Sequence, residues 1–352
     1  VGGILLDHFE WNSVFFLNIP VAIITLIGGY FFIPESGDRS ASRLDPVGVI
    51  LSIAGLSTIV YGIIKAGEES WTEGSVIVLL SIGIFILLIF AWWEKRSEHP
   101  MLPMRFFKNM SFTGANVAMT LVSFSALALL FFLSQYFQSV QGHTPLETAW
   151  RMLPTAVLSL IASILAIQIA RVIGVKLPVS FGLIIGGLGL LYLSYADTDW
   201  SYLMVFGGLS LTAIGIGLVY APCTDSIMGS LPEKRAGIGS AMDTTMQQLG
   251  GALGIAVLGA IMNAIYLDKI ANLEAVASLP QEAYEAVRSS IQSAHIVAEQ
   301  FPEEIAQQIV TGSSDAFVSG MNDAMFIAAI VMLVASVITL FILPARIRPS
   351  QE

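Results

Sequence analysis

The chain has 352 residues, of which 55% are hydrophobic and only 12% are charged, and its formal net charge is −10. A soluble domain carries about 25% charged residues, so this chain lacks the side chains that would cover a globular surface in water. The composition and the acidic balance therefore exclude a nucleic-acid-binding protein and a soluble enzyme, and they predict a protein whose main solvent is the lipid bilayer. The single cysteine excludes an internal disulfide framework.

Long apolar stretches dominate the sequence, and nine of them can each cross a hydrocarbon core of about 30 Å as a helix. In chain order these predicted spans are 14–33, 46–66, 75–93, 113–133, 147–169, 177–196, 203–228, 238–264 and 322–343. The short alternating segments of a membrane β-barrel are not seen. We therefore predict an all-α, polytopic membrane protein. Residues 1–6 resemble the end of a tenth span, and because the chain opens at Val1 inside this apolar run, we expect it to be a segment of a longer protein.

The distribution of Lys and Arg predicts the orientation of these spans. When the sides alternate at each span, all of the basic residues but four fall on the side that holds the C-terminus, and the four exceptions are Lys65, Arg151, Lys269 and Arg288. Cytoplasmic loops retain basic residues. The sequence therefore predicts a multi-pass protein of the bacterial cytoplasmic membrane with a cytoplasmic C-terminus.

A long polar segment, 265–320, separates the last two predicted spans on the external side. Within it, Ser278-Leu-Pro-Gln281 resembles a capping box that opens a helix to about Glu299, and Pro302 can start another helix. One interpretation is a gate or a docking surface over an external mouth. The other, favoured by the usual behaviour of loops, is a solvated surface excursion.

Sequence motifs of catalysis are missing from the chain. It contains no G-x-x-x-x-G-K-[ST], G-x-S-x-G, H-E-x-x-H or C-x-x-C pattern, and its four histidines fall in predicted loops. We therefore expect no cofactor, no metal site and no enzymatic activity. A secondary transporter powered by an ion gradient fits this pattern better than an intramembrane enzyme.

The clearest ionisable residue inside a predicted span is Asp243, about two turns into 238–264. An acid in hydrocarbon costs about 2.5–3.5 kcal/mol on insertion scales and needs a reason to be there. Helical spacing puts Gln247, Gly250 and Gly254 on the same side, so the carboxylate should face protein or water. It could exchange a proton or attract a cationic substrate, or it could be a structural acid bonded to a neighbouring helix.

Other polar and small residues inside the spans are weaker candidates. A second acid, Asp225, can reach interfacial water at the end of its span. Asn116 and Thr120 form a stripe with Ser123 that suits either a cavity wall or interhelical hydrogen bonds, and Gln135 and Gln138 could line an external vestibule. Small-x-x-x-small spacing predicts close helix packing at Gly250, Gly251 and Gly254.

Several motifs, met in order along the chain, resemble one group of transporters. They begin with Gly2-Gly3-Ile-Leu-Leu and Trp11-Asn-Ser-Val-Phe-Phe-Leu-Asn18-Ile-Pro20, and continue with Leu44-Asp45-Pro-Val-Gly48, Pro100-Met-Leu-Pro103, Arg151-Met-Leu-Pro154, Gly215-Ile-Gly217 with Pro222, and Gln248-Leu-Gly250-Gly251-Ala-Leu-Gly254. Together they resemble the drug–proton antiporters of the major facilitator superfamily, and more narrowly the fourteen-span EmrB/QacA-type group.

The resemblance implies a division of the chain into structural units. Residues 1–33 would be the end of the N-terminal six-helix half, 46–93 two extra linker helices, and 113–343 the C-terminal six-helix half, with cytoplasmic loops at 34–45 and 94–112 and a cytoplasmic tail at 344–352. The missing spans of the first half would lie upstream.

The resemblance also implies a function and roles for individual residues. The protein would export small amphipathic or cationic compounds in exchange for protons, with Asp243 as the coupling acid. Tyr220 and Gln247 would join the polar candidates above as substrate contacts. The motif residues Gly2, Gly3, Asn18, Pro20, Gly215, Gly217 and Pro222 would serve helix packing.

This chain also departs from the group at particular positions. Asn12 and Ser13 replace an arginine and an aromatic residue, Gln247 stands where many relatives carry arginine, and the loop around Arg171 has no aspartate. The coupling role of Asp243 is therefore a hypothesis.

Two alternatives to the drug exporter stay open. One is an exporter dedicated to one metabolite, such as a siderophore or an antibiotic, and the other is a non-transporting scaffold that docks a partner on 265–320. The expected partners are a small-molecule substrate, protons and the lipid bilayer. The sequence does not indicate whether a periplasmic adaptor binds.

Overall fold

The computed structural model describes residues 2, 5, 12–32, 45–68, 71–97, 104–232 and 236–344. All of the regular structure in these ranges is helical. The helices of eight or more residues, numbered in chain order, are α1 (Asn18–Phe32), α2 (Pro46–Glu68), α3 (Gly74–Arg96), α4 (Met110–Gln135), α5 (Pro145–Ile173), α6 (Lys176–Leu193), α7 (Tyr202–Gly229), α8 (Ala236–Ala271), α9 (Gln281–Ser289), α10 (Ile291–Ala298) and α11 (Glu303–Ile342).

Eight of these helices, α2–α8 and α11, are long and apolar enough to cross a membrane. Each coincides with a predicted span, which confirms the helical membrane fold. Within the predicted span 14–33 the structure describes a short helix, Ser13–Phe16, followed by α1, and Leu17 between them has a right-handed helical backbone. The described part of α1 is about 22 Å long.

Helices α4–α8 and α11 pack into one bundle. Four of them form a row in the order α5, α7, α4, α8, and α6 and α11 lie behind this row, with α6 against α7 and α11 against both α4 and α8. The bundle has one continuous apolar core that includes Met119, Phe132, Leu183, Leu258 and Met332. The candidate site lies along this row, among α4, α5, α7 and α8.

Two of the predicted packing glycines bring α8 onto α4. A Cβ atom at Gly250 would meet the backbone of Thr120, and one at Gly254 would meet the backbone of Phe124. Gly215 likewise brings α7 onto the backbone of α6 at Gly186. In lipid, where apolar side chains gain little by leaving their solvent, this close backbone approach supplies the van der Waals contact that holds helices together.

Helices α2 and α3 form a hairpin that packs on the bundle through α8. Asp45 precedes the hairpin and ties its two helices together: one carboxylate oxygen accepts the Gly48 amide at 3.0 Å and the other accepts the Trp93 indole N–H at 2.8 Å. The Gly48 bond is the main reason that the pKa of Asp45 lies below its usual value of 3.8. These contacts explain why an aspartate and a glycine stand three residues apart in Leu44-Asp45-Pro-Val-Gly48.

The segment between the last two spans is folded and differs from a solvated surface excursion. Helices α8 and α11 are about 54 and 60 Å long and extend well beyond a bilayer core. Residues 272–302, which we call the cap, fold between these extensions, and Val287, Ile291, Ala294 and Val297 are buried there. The end of the bundle beside the cap is called the cap end, and the opposite end, where α11 finishes, is called the tail end.

The predicted capping box in this segment is wrong. Pro280 occupies the N-cap position of α9, and the Ser278 hydroxyl donates to the Ala275 carbonyl at 3.0 Å. The predicted single helix to Glu299 is also divided, because Ser290 adopts an extended backbone and caps α10 by accepting the Ser293 amide.

Candidate functional site

The predicted coupling acid, Asp243, is buried inside the bundle with 8% of its surface exposed. One carboxylate oxygen, Oδ2, accepts the Thr224 hydroxyl at 3.0 Å and the Gln247 amide at 3.2 Å. The other oxygen, Oδ1, is buried and has no hydrogen-bond partner in the part of the chain that the structure describes. No described basic side chain forms an ion pair with it. The hydrogen bonds of the carboxylate therefore come from two neutral donors, both on Oδ2.

The backbone of α8 determines where this carboxylate points. Gly250 and Gly254 press one side of α8 onto α4, and Gln247 and Asp243, respectively one and two turns before Gly250, continue along that side toward α7. An acid on this side is shielded from lipid by protein, because the helices approach to backbone contact just beyond it.

Helix α7 links Asp243 to a second polar contact one turn away. Thr224 binds the carboxylate, and four residues earlier the Tyr220 hydroxyl lies 3.0 Å from the Ser123 hydroxyl of α4. Pro222 lies between them and has no amide hydrogen to donate to the preceding turn. The stretch of α7 between the two contacts therefore lacks one backbone hydrogen bond and bends more easily than a regular helix.

A cavity of about 480 Å³ lies between α4 and α5, with α7 as its floor. Its walls carry apolar side chains with few polar groups; the lining residues are Ala126, Leu127, Leu129, Leu130, Ala149, Met152, Leu153, Thr155, Ala156, Ser159, Leu209, Ala213, Ile216 and Tyr220. The volume lies within the range of small-molecule sites. Tyr220 joins the cavity to the Asp243 cluster, because its side chain lines the cavity and its helix carries Thr224.

The structure brings two of the six predicted cavity residues to this site. Tyr220 lines the cavity, and Gln247 binds Asp243. Asn116 instead donates to the Phe112 carbonyl of its own helix, and Thr120 lies against Met246 at the contact between α4 and α8. Thr120 is part of the interface between α4 and α8, because Gly250 packs on its backbone, and Asn116 is buried.

The remaining two cavity candidates lie at the cap end. Gln135 accepts a hydrogen bond from Gln292 of the cap at 3.2 Å, and Gln138 donates to Ser134 at 2.9 Å. Neither lines the described cavity. A π-helical turn, Tyr136–Val140, follows Gln135 at the end of α4.

The other predicted residues have varied surroundings. Asp225 is exposed near the tail end and is not part of the Asp243 cluster, because it follows Thr224 and so points about 100° away around α7. Gly217 contacts the backbone of α5 at Ser159. A Cβ atom at Gly2 would meet no described atom within 4 Å.

The remaining motif residues are Gly3, Asn18 and Pro20. Asn18 and Pro20 are exposed on α1, and Gly3 lies outside the described residues. No packing contact within the described part of the chain therefore supports the packing role predicted for Gly2, Asn18 and Pro20.

Sequence reasoning missed Thr224 and most of the cavity lining. A threonine two residues after a proline in an apolar span is a signal that could have identified Thr224. The lining residues carried no signal, because a leucine that faces a cavity and a leucine that faces lipid are equally compatible with an apolar helix.

Comparison with known proteins matches most of the chain to one protein family. The Major Facilitator Superfamily family matches residues 1–255. The multidrug efflux pump LfrA of Mycolicibacterium smegmatis is 30% identical over 96% of this chain, and the match covers 66% of LfrA. The multidrug resistance protein Stp of Mycobacterium tuberculosis is 31% identical over 75% of this chain and 49% of Stp. The tetracenomycin C resistance and export protein of Streptomyces glaucescens is 28% identical over 97% of this chain and 64% of that protein.

The chain thus spans about half to two thirds of the length of these relatives. A solved structure agrees on the fold: a bacterial homologue of the human lysosomal transporter Spinster, inward-facing and occupied, aligns with a TM-score of 0.52 at 16% identity over 83% of this chain and 64% of that chain. With its membrane-spanning helical bundle, this chain belongs to the Major Facilitator Superfamily.

Proposed function

We propose that the protein is a proton-coupled secondary transporter that exports small amphipathic or cationic compounds across the bacterial cytoplasmic membrane. The observation that carries this proposal is that one helix, α7, both binds the buried carboxylate of Asp243 through Thr224 and lines the cavity with Tyr220. The chain is also similar to proteins named as a multidrug efflux pump and a multidrug resistance protein. Asp243 is the proton-carrying acid, and the cavity between α4, α5 and α7 receives the substrate.

The hydrogen-bond pattern of Asp243 supports a role in proton exchange. An acid can drive transport only if its proton affinity differs between the two conformations of the carrier. Here two neutral donors hold one oxygen, and the other is buried without a partner in the described part of the chain. Movement of α7 relative to α8 would withdraw the Thr224 hydroxyl and so change the hydrogen bonding of this carboxylate between the two conformations.

The unit boundaries and orientation predicted from the sequence belong to this proposal. The tail end, with the C-terminus, lies in the cytoplasm, and the cap lies outside. Residues 113–343 form one six-helix half, and the hairpin of α2 and α3 is the linker between halves. Alternating access would then occur around a site between this half and a second one.

The test is Asp243→Asn in proteoliposomes that contain a fluorescent substrate and carry an imposed pH gradient. Asparagine keeps the size of the side chain and removes the ionisable group. We expect the variant to lose pH-driven transport and to retain substrate exchange between equal pH values, because only the coupling step needs the proton. Asp225→Asn is the matched control, since it removes an exposed acid on the neighbouring helix and should leave pH-driven transport intact.

Unchanged pH-driven transport by Asp243→Asn would exclude Asp243 from the mechanism. Loss of transport in both variants would show that transport depends on the total charge near the tail end. The buried position of Asp243 would then not identify it as the coupling acid.

A second candidate function is export of one dedicated metabolite. The similarity to the tetracenomycin C resistance and export protein favours it, because that relative is named for a single compound. A panel of unrelated toxic compounds separates the two candidates: a drug exporter lowers susceptibility to several of them, and a dedicated exporter lowers susceptibility to one structural class.

A further inference from the structure

The two hydrogen-bond donors of the Asp243 carboxylate lie on different helices. Gln247 follows Asp243 by four residues on α8 and donates to the oxygen Oδ2 at 3.2 Å. Thr224 lies on α7 and donates to the same oxygen at 3.0 Å. The Gln247 bond therefore stays with the acid when α8 moves, whereas the Thr224 bond ties the acid to another helix.

The helices α7 and α8 are held in place by different neighbours. Gly250 and Gly254 fix α8 against the backbone of α4, and Gly217 fixes α7 against the backbone of α5. One turn toward the tail end, α7 and α8 also meet directly, since a Cβ atom at Gly239 would lie 3.1 Å from the sulfur of Met228. That contact is apolar and belongs to an adaptable side chain, so it does not respond to the charge of the acid.

We propose that Thr224 is a positioning residue through which the charge of Asp243 acts on α7, and that Gln247, which binds the same oxygen, does not transmit it. A hydrogen bond to an ionised carboxylate is roughly twice as strong as one between neutral groups. The Thr224 bond therefore holds α7 firmly while the acid is charged, and it weakens when the acid takes up a proton. The inference rests on the proposed function and deepens it, because α7 also lines the cavity with Tyr220.

Few other ionisable groups in the described part of the chain lie near this contact. Helix α4 has none. On α7, the charge of Asp243 acts on Tyr220 and Cys223, and Asp225 is exposed; on α2, Tyr61 lines a groove beside α8. The other ionisable residues of α2, α8 and α11 lie nearer the cap end: Lys65, Glu68, Tyr266, Asp268, Lys269, Glu303, Glu304, Asp315 and Asp323. Because tyrosine and cysteine ordinarily ionise at alkaline pH, Asp243 is the described buried group at this contact whose charge changes below about pH 8.

The residue before Thr224, Cys223, is a natural reporter of this contact. It is the single cysteine of the chain, and its side chain is fully buried. N-ethylmaleimide therefore reacts with it only when this part of α7 opens. The labelling rate of the purified protein in nanodiscs, followed by mass spectrometry at one fixed pH, measures the opening without any substrate.

The test is a double-mutant cycle in which Asp243→Asn stands for the neutral acid. Thr224→Val removes the hydroxyl and keeps the shape of the side chain, and Gln247→Met is the matched control that removes the other donor to the same oxygen. We expect Asp243→Asn to speed labelling of Cys223 about threefold to tenfold more in the unchanged and Gln247→Met proteins than in Thr224→Val. The direct electrostatic effect of Asp243 on Cys223 is common to all three proteins and cancels in the comparison.

The inference is overturned if Asp243→Asn has the same effect on labelling in the Thr224→Val and Gln247→Met proteins, whether that effect is large or absent. Thr224→Ser keeps the hydroxyl and should restore the response of the unchanged protein, which a role in packing alone would not explain. If Thr224→Val does not fold, Thr224→Ala removes the same hydroxyl with a smaller side chain and takes its place in the cycle.

Transport of rhodamine 6G, a fluorescent amphipathic cation, separates this inference from the proposed function. In proteoliposomes, Thr224→Val should lower pH-driven transport and retain exchange at equal pH. If the labelling cycle singles out Thr224 but Asp243→Asn keeps pH-driven transport, the proposed role of Asp243 fails and the inference about the contact stands. If transport requires Asp243 but the cycle does not single out Thr224, the inference fails and the proposed function stands.

Discussion

Close packing of α8 against α4 predicts a large difference between two alanine substitutions in the same helix. A Cβ atom at Gly254 would lie 2.6 Å from the carbonyl carbon and 2.8 Å from the Cα atom of Phe124, and closer still to its carbonyl oxygen. These are backbone atoms, so relief requires displacement of α4. At Gly259, five residues further along α8, a Cβ atom would meet nothing within 4 Å.

The magnitude follows from two terms. Replacement of glycine by alanine inside a helix gains about 1 kcal/mol of helix propensity at both positions. Overpacking costs about 1–3 kcal/mol, and the rigid backbone of Phe124 places Gly254 at the upper end of that range. We therefore expect Gly259→Ala to be stabilised by up to about 1 kcal/mol and Gly254→Ala to be destabilised by about 2 kcal/mol.

Thermal unfolding of the purified protein in detergent measures this difference. About 3 kcal/mol between the two variants corresponds to a separation of about 6 to 12 °C in Tm for a bundle of this size. Equal Tm values, or a Gly254→Ala variant as stable as the unchanged protein, would refute the conclusion that α8 and α4 are held at backbone contact.

Two further predictions concern pH. Burial lowers the pKa of His295 in α10 below its usual value of 6.5, so the folded cap disfavours the proton; its stability is complete above that value and is lost as the pH falls below it. The protection factors of the α10 amides, which are exchange rates corrected for the intrinsic dependence of exchange on pH, should therefore be lower at about pH 5.5 than at about pH 7.5, and His295→Gln, which does not titrate, should remove most of this difference. The pKa of Asp45 is lowered chiefly by the Gly48 amide, so its contribution is present above the usual value of 3.8 and is lost as the pH falls below it. The Tm of the unchanged protein should drop in this acidic range more steeply than that of Asp45→Asn, and parallel curves would contradict the role of Asp45 in the hairpin.

The membrane fold was predictable because it depends on composition and on distance along the chain. A run of about 20 apolar residues has few alternatives to a helix in lipid, and eight predicted spans coincide with helices. The buried position of Asp243 was also predictable, since helical spacing placed it on the side that carries Gly250 and Gly254. The prediction failed at a helix end, where Pro280 occupies the N-cap position of α9 and Ser278 does not form the predicted cap.

The partners of the residues in the candidate site could not be predicted, because they are set by contacts between helices and the sequence pattern of one helix does not reveal its neighbours. Thr120 has the spacing of a cavity wall, and yet Gly250 of α8 packs on its backbone and places it at a helix interface. Thr224 and Tyr220 acquire their roles from the side chains of α8 and α4 that they meet.

The sequence by itself determined that this chain is a helical membrane protein with a buried acid in α8, because hydrophobicity and helical period act along one helix. Only the tertiary structure decided that the acid meets Thr224, that an uncharged cavity lies between α4 and α5 above α7, and that residues 272–302 pack as a cap. The physical reason is that apolar side chains look alike in sequence whether they face lipid, another helix or a cavity, and only the packing of the helices separates these three environments.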